Sequence, residues 1–258
     1  MRRAVPWLVV LALAGCGHGG KENPALAPTP AAQAASPDQL DRQWDQAIVD
    51  FRHGKWKKAG ELFQKVTNES VPGDPRVAQA HFYLGEVQFA RGENLDAVRE
   101  FRRVSDESPN DPLAPEALLR VGDAYADLWK RPELDPTYGT TALAAYNELQ
   151  SRYPGTSAAA RGQKRIAALQ EKFAIKQYKA AVYYLRYKAY DSAILYLKDL
   201  VATYPRASIA PEALIKLIGA YQRLGYKEDM RETCGYLLRF HARAPGAREA
   251  CPTEPGAS

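Results

Sequence analysis

Hydrophobic positions fall into three regimes along the chain. Ala4–Ala14 (AVPWLVVLALA) is a continuous apolar run behind Arg2 and Arg3. Residues 17–37 (GHGGKENPALAPTPAAQAASP) carry prolines and alanines with no apolar period, which reads as a tether. From Leu40 onward apolar residues recur at helical spacing, interrupted at short intervals by Gly, Pro or Asn. That pattern predicts amphipathic helices joined by tight turns. Frequent alanine and scarce β-branched runs favour the same reading.

Aligned on their breaks, the helical segments share one unit. A Gly ends a helix, an Ala follows five residues later, an aromatic four after that, and a Pro near eight further. Gly54, Ala59, Phe63 and Pro72 are the first set, with the Pro one place late. Gly92, Ala97, Phe101 and Pro109 are the second, and Ala142, Tyr146 and Pro154 the third. Ala193, Leu197 and Pro205 form the fourth, with Lys188 at the Gly place. Gly225, Met230 and Cys234 open a fifth, weaker set. A longer echo pairs Leu113–Tyr125 (LAPEALLRVGDAY) with Ile209–Tyr221 (IAPEALIKLIGAY).

Each position has a physical reason. The Gly takes the left-handed conformation that stops the first helix. The small Ala lets two antiparallel helices approach closely, the aromatic fills the gap between neighbouring units, and the Pro precedes the next helix. Such a pair cannot bury its apolar face alone, so units stack. The pattern resembles the tetratricopeptide repeat and predicts an all-α superhelix of about five helix pairs over residues 40–243.

The expected organisation is a leader at 1–15, a tether at 16–38, repeats one and two at 39–112, repeat three at 113–156, repeats four and five at 157–243, and a tail at 244–258. Repeat three carries an eight-residue insertion within Leu128–Thr140, which reads as a loop. Ser157–Tyr187 has no breaker after Gly162 and reads as one helix of ~45 Å serving repeats three and four. Its bases, Arg161, Lys164, Arg165, Lys172, Lys176 and Lys179, read as a solvated face rather than a binding stripe.

Composition narrows the function. With 46% hydrophobic and 25% charged residues, the chain is not disordered throughout. Without Arg2 and Arg3, 33 basic residues face 30 acidic ones, too small an excess to indicate nucleic acid. Three cysteines exclude a disulfide-dense scaffold, and His18, His53, His81 and His241 form no close pair for a metal. P-loop, G-x-S-x-G, HExxH and Rossmann spacings are missing. The expectation is no enzyme, no cofactor and no metal, but a scaffold that binds peptides or proteins on its concave face.

The 11 apolar residues of the leader are too few to span a bilayer, which takes ~20 helical residues, so they read as a signal-peptide core. They end in Leu13-Ala14-Gly15-Cys16, which resembles the bacterial lipobox. The resemblance implies that Cys16 is lipidated and becomes the first mature residue; three acyl chains exceed the two signals that stable anchoring needs. Gly17, not Asp, follows, and that permits export to the outer membrane by the same resemblance. As a flexible coil the tether would reach ~25 Å.

Lipobox, proline tether and five degenerate repeats, in that order, resemble the BamD family, the repeat lipoproteins of the β-barrel assembly machinery in the bacterial outer membrane. The resemblance is strongest over Lys179–Pro205, with its doublet Tyr183-Tyr184, and in the loop ending Asp135-Pro136 followed by Ala142, Tyr146 and Tyr153-Pro154. Departures include Ser70-Val71-Pro72 after the first repeat, and Tyr196 where the family can carry an Arg that meets the barrel subunit. The resemblance implies an anchored protein at the periplasmic face of the outer membrane. Its N-terminal repeats would take unfolded outer-membrane protein precursors, and its C-terminal repeats would dock on the barrel-forming insertase subunit. Alternatives are a periplasmic repeat adaptor of the Tol system and a scaffold for peptidoglycan enzymes.

Two site expectations follow. With the repeat frame set by Ala59 and Ala97, the inward positions are Trp44, Ile48, Phe51 and Arg52 on the first helix and Phe82, Glu86 and Phe89 on the third. The third repeat offers Leu119, Asp123 and Asp127. An aromatic groove of this kind suits an extended apolar peptide; the alternative is that Trp44 and Phe51 pack on a neighbouring helix. Cys234 and Cys251, 17 positions apart in an oxidising compartment, are expected to bridge and pin the tail on the fifth repeat, the alternative being two independent thiols.

Overall fold

The computed structural model describes residues 36–71 and 73–251. Over these it forms ten helices in five consecutive pairs: α1 (Pro37–Arg52) with α2 (Trp56–Glu69), α3 (Arg76–Ala90) with α4 (Asn94–Glu107), α5 (Ala114–Leu128) with α6 (Thr137–Arg152), α7 (Ser157–Arg186) with α8 (Tyr190–Thr203), and α9 (Ala210–Leu224) with α10 (Lys227–His241). Each helix packs on its neighbours in sequence, and α7 additionally packs on α5. Cys16 and Pro72 lie outside the described residues.

The repeat positions carry the core. Ala59, Ala97, Ala142 and Ala193 are fully buried, as are Phe63, Phe101, Tyr146 and Leu197 beneath them. The ring sits within its own helix pair. A Cβ added to Gly85 of α3 would lie 2.6 Å from the Phe101 ring, and one added to Gly122 of α5 would lie 2.3 Å from the Tyr146 ring. The aromatic therefore rests directly on the backbone of the partner helix, rather than chiefly between units. Phe63 also reaches the next pair, stacking on Tyr83 at 5.1 Å, and Phe101 lies under the Arg120 guanidinium of α5 at 5.8 Å.

The turns follow the same economy. Gly54, Gly92 and Gly225 have φ of +69°, +78° and +76°, a region closed to most side chains. Lys188 adopts φ +59° at the equivalent turn, the one non-glycine with positive φ among the described residues. Ser36 and Thr156 cap α1 and α7, accepting the backbone N–H of Gln39 and Ala159 at 3.3 and 3.1 Å.

The insertion in repeat three is shorter as a loop than its sequence suggests. Thr137–Thr140 are already helical, because the Asp135 carboxylate accepts the Thr137 N–H at 2.9 Å and starts α6 there. Trp129 is buried beside Gly139, whose missing Cβ makes room for the indole, and lies 4.6 Å from the Phe173 ring. Three bases of α7 hold this loop, Arg161 and Arg165 pair with Glu116 and Asp123 of α5, and Lys164 stays exposed. Lys172 donates to the Trp129 carbonyl, Lys176 donates to the Leu134 carbonyl at 2.9 Å, and Lys179 pairs with Glu133.

On the second-helix side, Glu148 of α6 accepts both Arg102 Nη atoms from α4 at 2.8 Å and Arg152 Nη1 at 2.7 Å. These hydrogen bonds hold its carboxyl below the usual glutamate range, against the opposing effect of burial.

Two outcomes test this packing. Gly122→Ala drives a methyl into the Tyr146 ring and should destabilise the fold by about 2 kcal/mol in urea unfolding; a neutral effect would mean the ring is not seated on the α5 backbone. Because the folded pKa of Glu148 is depressed, its contribution is complete above the unfolded value of about 4.3 and is lost as pH falls through the lower folded value. Glu148→Gln should therefore cost about 1 kcal/mol at neutral pH, given its partial solvation, and the gap to wild type should narrow as pH falls below about 4. A gap independent of pH would place the carboxylate outside the acid response.

Candidate peptide-binding groove

The first helices of the first three pairs and the start of α7 line an open groove of about 580 Å³. Its aromatic side is Phe51 from α1 and Phe82 and Tyr83 from α3. Its polar side is Glu86 from α3, Glu116, Arg120 and Asp123 from α5, and Arg161 and Arg165 from α7, with Leu119 between. Glu116, Arg120 and Asp123 recur at helical spacing, so one face of α5 presents them together.

The aromatic side is supported from below. Tyr83 stacks on the buried Phe63, and Phe51 meets Tyr83 edge-on at 5.1 Å. Trp44 packs edge-on against Phe63 at 5.5 Å and Tyr83 at 5.8 Å. Trp44 and Ile48 thus belong to the packing of the first core cluster, and neither lines the cavity. Phe82 leans on Phe101 at 5.6 Å. Phe89 lies beneath the Arg120 guanidinium, 4.3 Å away, and Arg52 is exposed at the end of α1. Of the seven expected positions, the structure gathers Phe51, Phe82 and Glu86 around one cavity.

The polar side is a connected chain across four helices. Arg120 donates to both Glu86 oxygens, at 2.5 and 2.8 Å, and to Asp123 at 3.1 Å. Asp123 accepts the Tyr146 hydroxyl at 2.7 Å and pairs with Arg165 at 3.0 Å. Arg161 pairs with Glu116. Burial works to lower the Arg120 pKa, yet the two carboxylates outweigh it and hold the guanidinium above its ordinary value. Burial, then the Asp123 charge, pushes the Tyr146 phenol up, so it remains an O–H donor. Three arginines thus meet three carboxylates, and the groove is close to neutral with an aromatic side.

Sequence reasoning missed Tyr83, Glu116, Arg120, Arg161 and Arg165 as groove residues. Arg161 pairs with Glu116 and Arg165 with Asp123, both on a distant helix, so no local spacing signalled either contact. Asp127, on the same helix face, accepts Asn94 at 2.7 Å and Lys130 at 2.7 Å instead.

Two further clefts lie in the C-terminal half. One of about 630 Å³ separates the repeat-three loop from α7 and α8, with Phe173, Tyr183, Tyr196 and Tyr204 on its walls. The other, about 470 Å³, runs between α8, α9 and α10. Tyr183 and Tyr187 stand exposed at the end of α7. Among the described residues no cluster of His, Cys, Asp and Glu could hold a metal, and no helix is long and apolar enough to cross a membrane.

Comparison with known proteins agrees with this architecture. The pattern of the YfiO family, described as outer membrane lipoprotein, matches residues 37–236. The chain is 24% identical to the outer membrane protein assembly factor BamD of Caulobacter vibrioides over 93% of its own length and 75% of that protein's. It is 22% identical to the BamD of Neisseria gonorrhoeae over 91% and 89%. Against the BamD of Vibrio cholerae, identity is 33% over 40% of this chain and 43% of the other. Among solved structures, a thermophilic TPR protein of Thermus thermophilus aligns over 81% of this chain and 95% of its own with TM-score 0.37 at 17% identity. The TPR2AB domain of yeast Sti1 aligns over 83% and 82% with TM-score 0.44 at 10% identity. With helix pairs continuous over the matched span and the family pattern covering most of it, the chain belongs to the BamD/YfiO family of outer membrane lipoproteins.

Proposed function

We propose that this chain is the lipid-anchored scaffold of a β-barrel assembly machinery. Its N-terminal repeats take extended segments of unfolded outer-membrane protein precursors, and its C-terminal repeats dock on the barrel-forming insertase subunit. Cys16, lipidated and made the first residue of the mature protein by removal of the leader, holds it at the periplasmic face of the outer membrane. The relatives' shared description as assembly factors supports the general role.

The observation that carries the precursor reading is the composition of the groove. An extended strand of a membrane barrel alternates apolar and polar side chains, so one face of it is apolar. The aromatic side of the groove, Phe51, Phe82 and Tyr83, would bury that face. The charges opposite are already matched to one another, so they offer hydrogen bonds to a passing backbone without demanding a charged ligand. Such a site reads apolar pattern rather than sequence, which suits a scaffold that meets many precursors.

A peptide taken from a C-terminal barrel strand, titrated against the mature protein, tests this. Phe51→Ala and Phe82→Ala should each weaken binding by ~1 kcal/mol or more. Unchanged affinity in a double variant with wild-type circular dichroism would move the site elsewhere. For the anchor, intact-mass analysis of protein extracted from its native membrane should find Cys16 as the acylated first residue. An unmodified Cys16, or a Cys16→Ala protein that stays firmly on the membrane, would remove the lipid from the picture.

A further inference from the structure

Among the described residues no helix pair follows α9 and α10. In a repeat array each unit buries its apolar face on its neighbours, so an end unit must be closed by something else. Here the segment 242–251 folds back over the end. It does so in tight turns: the N–H of Ala244 donates to the His241 carbonyl at 2.9 Å, that of Ala247 to Ala244 at 3.1 Å, and that of Ala250 to Gly246 at 3.0 Å. Gly246 takes φ +78°, and a side chain there would approach Ile215 of α9. Beneath this segment Leu214, Ile218 and Leu237 are buried, and Ala247 is wholly so.

The segment contributes little grip of its own. The residues it delivers to the cluster are Ala244, Ala247, Ala250 and Cys251. Three methyl groups bury too little apolar area to offset the ordering of ten backbone residues. What remains is Cys251, which returns to Cys234 of α10 as a disulfide pair with Cα atoms 5.6 Å apart, inside the range a bridge needs. Without that link the turns would be free to leave.

We propose that Cys234 and Cys251 form a redox latch on a terminal cap. With the bridge closed, residues 242–251 cover the end of the fifth repeat; with the bridge open, they leave and expose Leu214, Ile218 and Leu237. Opening requires a dithiol reductant. Its thiolate attacks one sulfur of the bridge, the S–S bond breaks, and the departing cysteine sulfur leaves as a thiolate that takes up a proton. The second thiol of the reductant then resolves the mixed disulfide and releases the other cysteine. Two electrons have passed from the dithiol to the bridge. Closing is the reverse, with a disulfide donor accepting two electrons while both cysteines lose their protons. Leu214 and Val201 belong both to the capped cluster and to the cleft between α8, α9 and α10. The state of the latch therefore sets the shape of that cleft.

Hydrogen exchange read by mass spectrometry on the full mature protein, before and after treatment with dithiothreitol, tests the latch without any variant that must fold anew. Reduction should accelerate exchange at least tenfold in 242–251 and in α10, and leave the first three pairs unchanged. Ala247→Glu provides the complementary arm. With the bridge intact and α-helical circular dichroism retained, it should unseat the cap and give the same local acceleration. Two free thiols per chain in denatured, unreduced protein from an oxidising compartment would overturn the proposal. So would exchange in α10 that is unaltered by reduction, or by Ala247→Glu.

Discussion

The fold depends on how closely the two helices of a pair approach. At Gly85 and Gly122 the first helix has no side chain, and a ring from the second helix occupies the space where a Cβ would stand. The buried Ala near the start of the first four second helices repeats the condition from the other side. Protein interiors tolerate neither voids nor overlap, so this small-against-large pairing sets the spacing of the pair. The same device seats the insertion, where Gly139 yields to Trp129. Phe51 and Phe82 meet the buried rings of their own pairs, Phe63 and Phe101, on one side and line the groove beside Glu86 on the other.

Regular spacing of the first helices has an electrostatic consequence. Polar residues on their inner faces come within reach of one another across pairs, and the structure uses this in a row from Glu86 through Arg120 and Asp123 to Arg165. On the second-helix side Arg102, Glu148, Arg152 and Asp106 form a comparable row. Partly solvated ion pairs contribute little net stability. Their directional requirement is the more useful property: a bidentate Arg120–Glu86 contact is made at one relative position of α3 and α5. The rows fix register between pairs that apolar packing alone would leave free to slide.

The repeat was legible because its positions are dictated by space and backbone conformation, and only a few residue types satisfy either. Gly54, Gly92 and Gly225 mark turns of positive φ, while Ala and aromatic residues mark close approach. The long α7 was legible from the lack of a breaker. The groove was legible only in part. Trp44 and Phe51 both lie on one side of α1, and nothing local says that the first turns under Phe63 and Tyr83 while the second reaches the cavity. The row of ion pairs was hidden for a different reason. Glu86 and Arg120 are 34 residues apart, and Glu116 and Arg161 are 45 apart, so neither pair leaves a signature at helical spacing. Lys188 shows the converse: a turn that geometry assigns to glycine can carry another residue when the flanking helices hold it in place.

The 30-residue α7 resolves how one array can carry two separate surfaces. Its first turns complete the N-terminal groove through Arg161 and Arg165. Its middle grips the repeat-three loop through Lys172, Lys176 and Lys179. Its last turns pack on α8, with Ala174 and Ala181 fully buried and Tyr183 left outside. A continuous helix with capped ends and no internal proline is stiff over this length. Repeats three and four are joined by the turn at 153–156, but α7, at 30 residues, reaches from the groove at its start to α8 at its end. One continuous helix thus contributes to both surfaces, and the insertion braces it through Lys172, Lys176 and Lys179 between them.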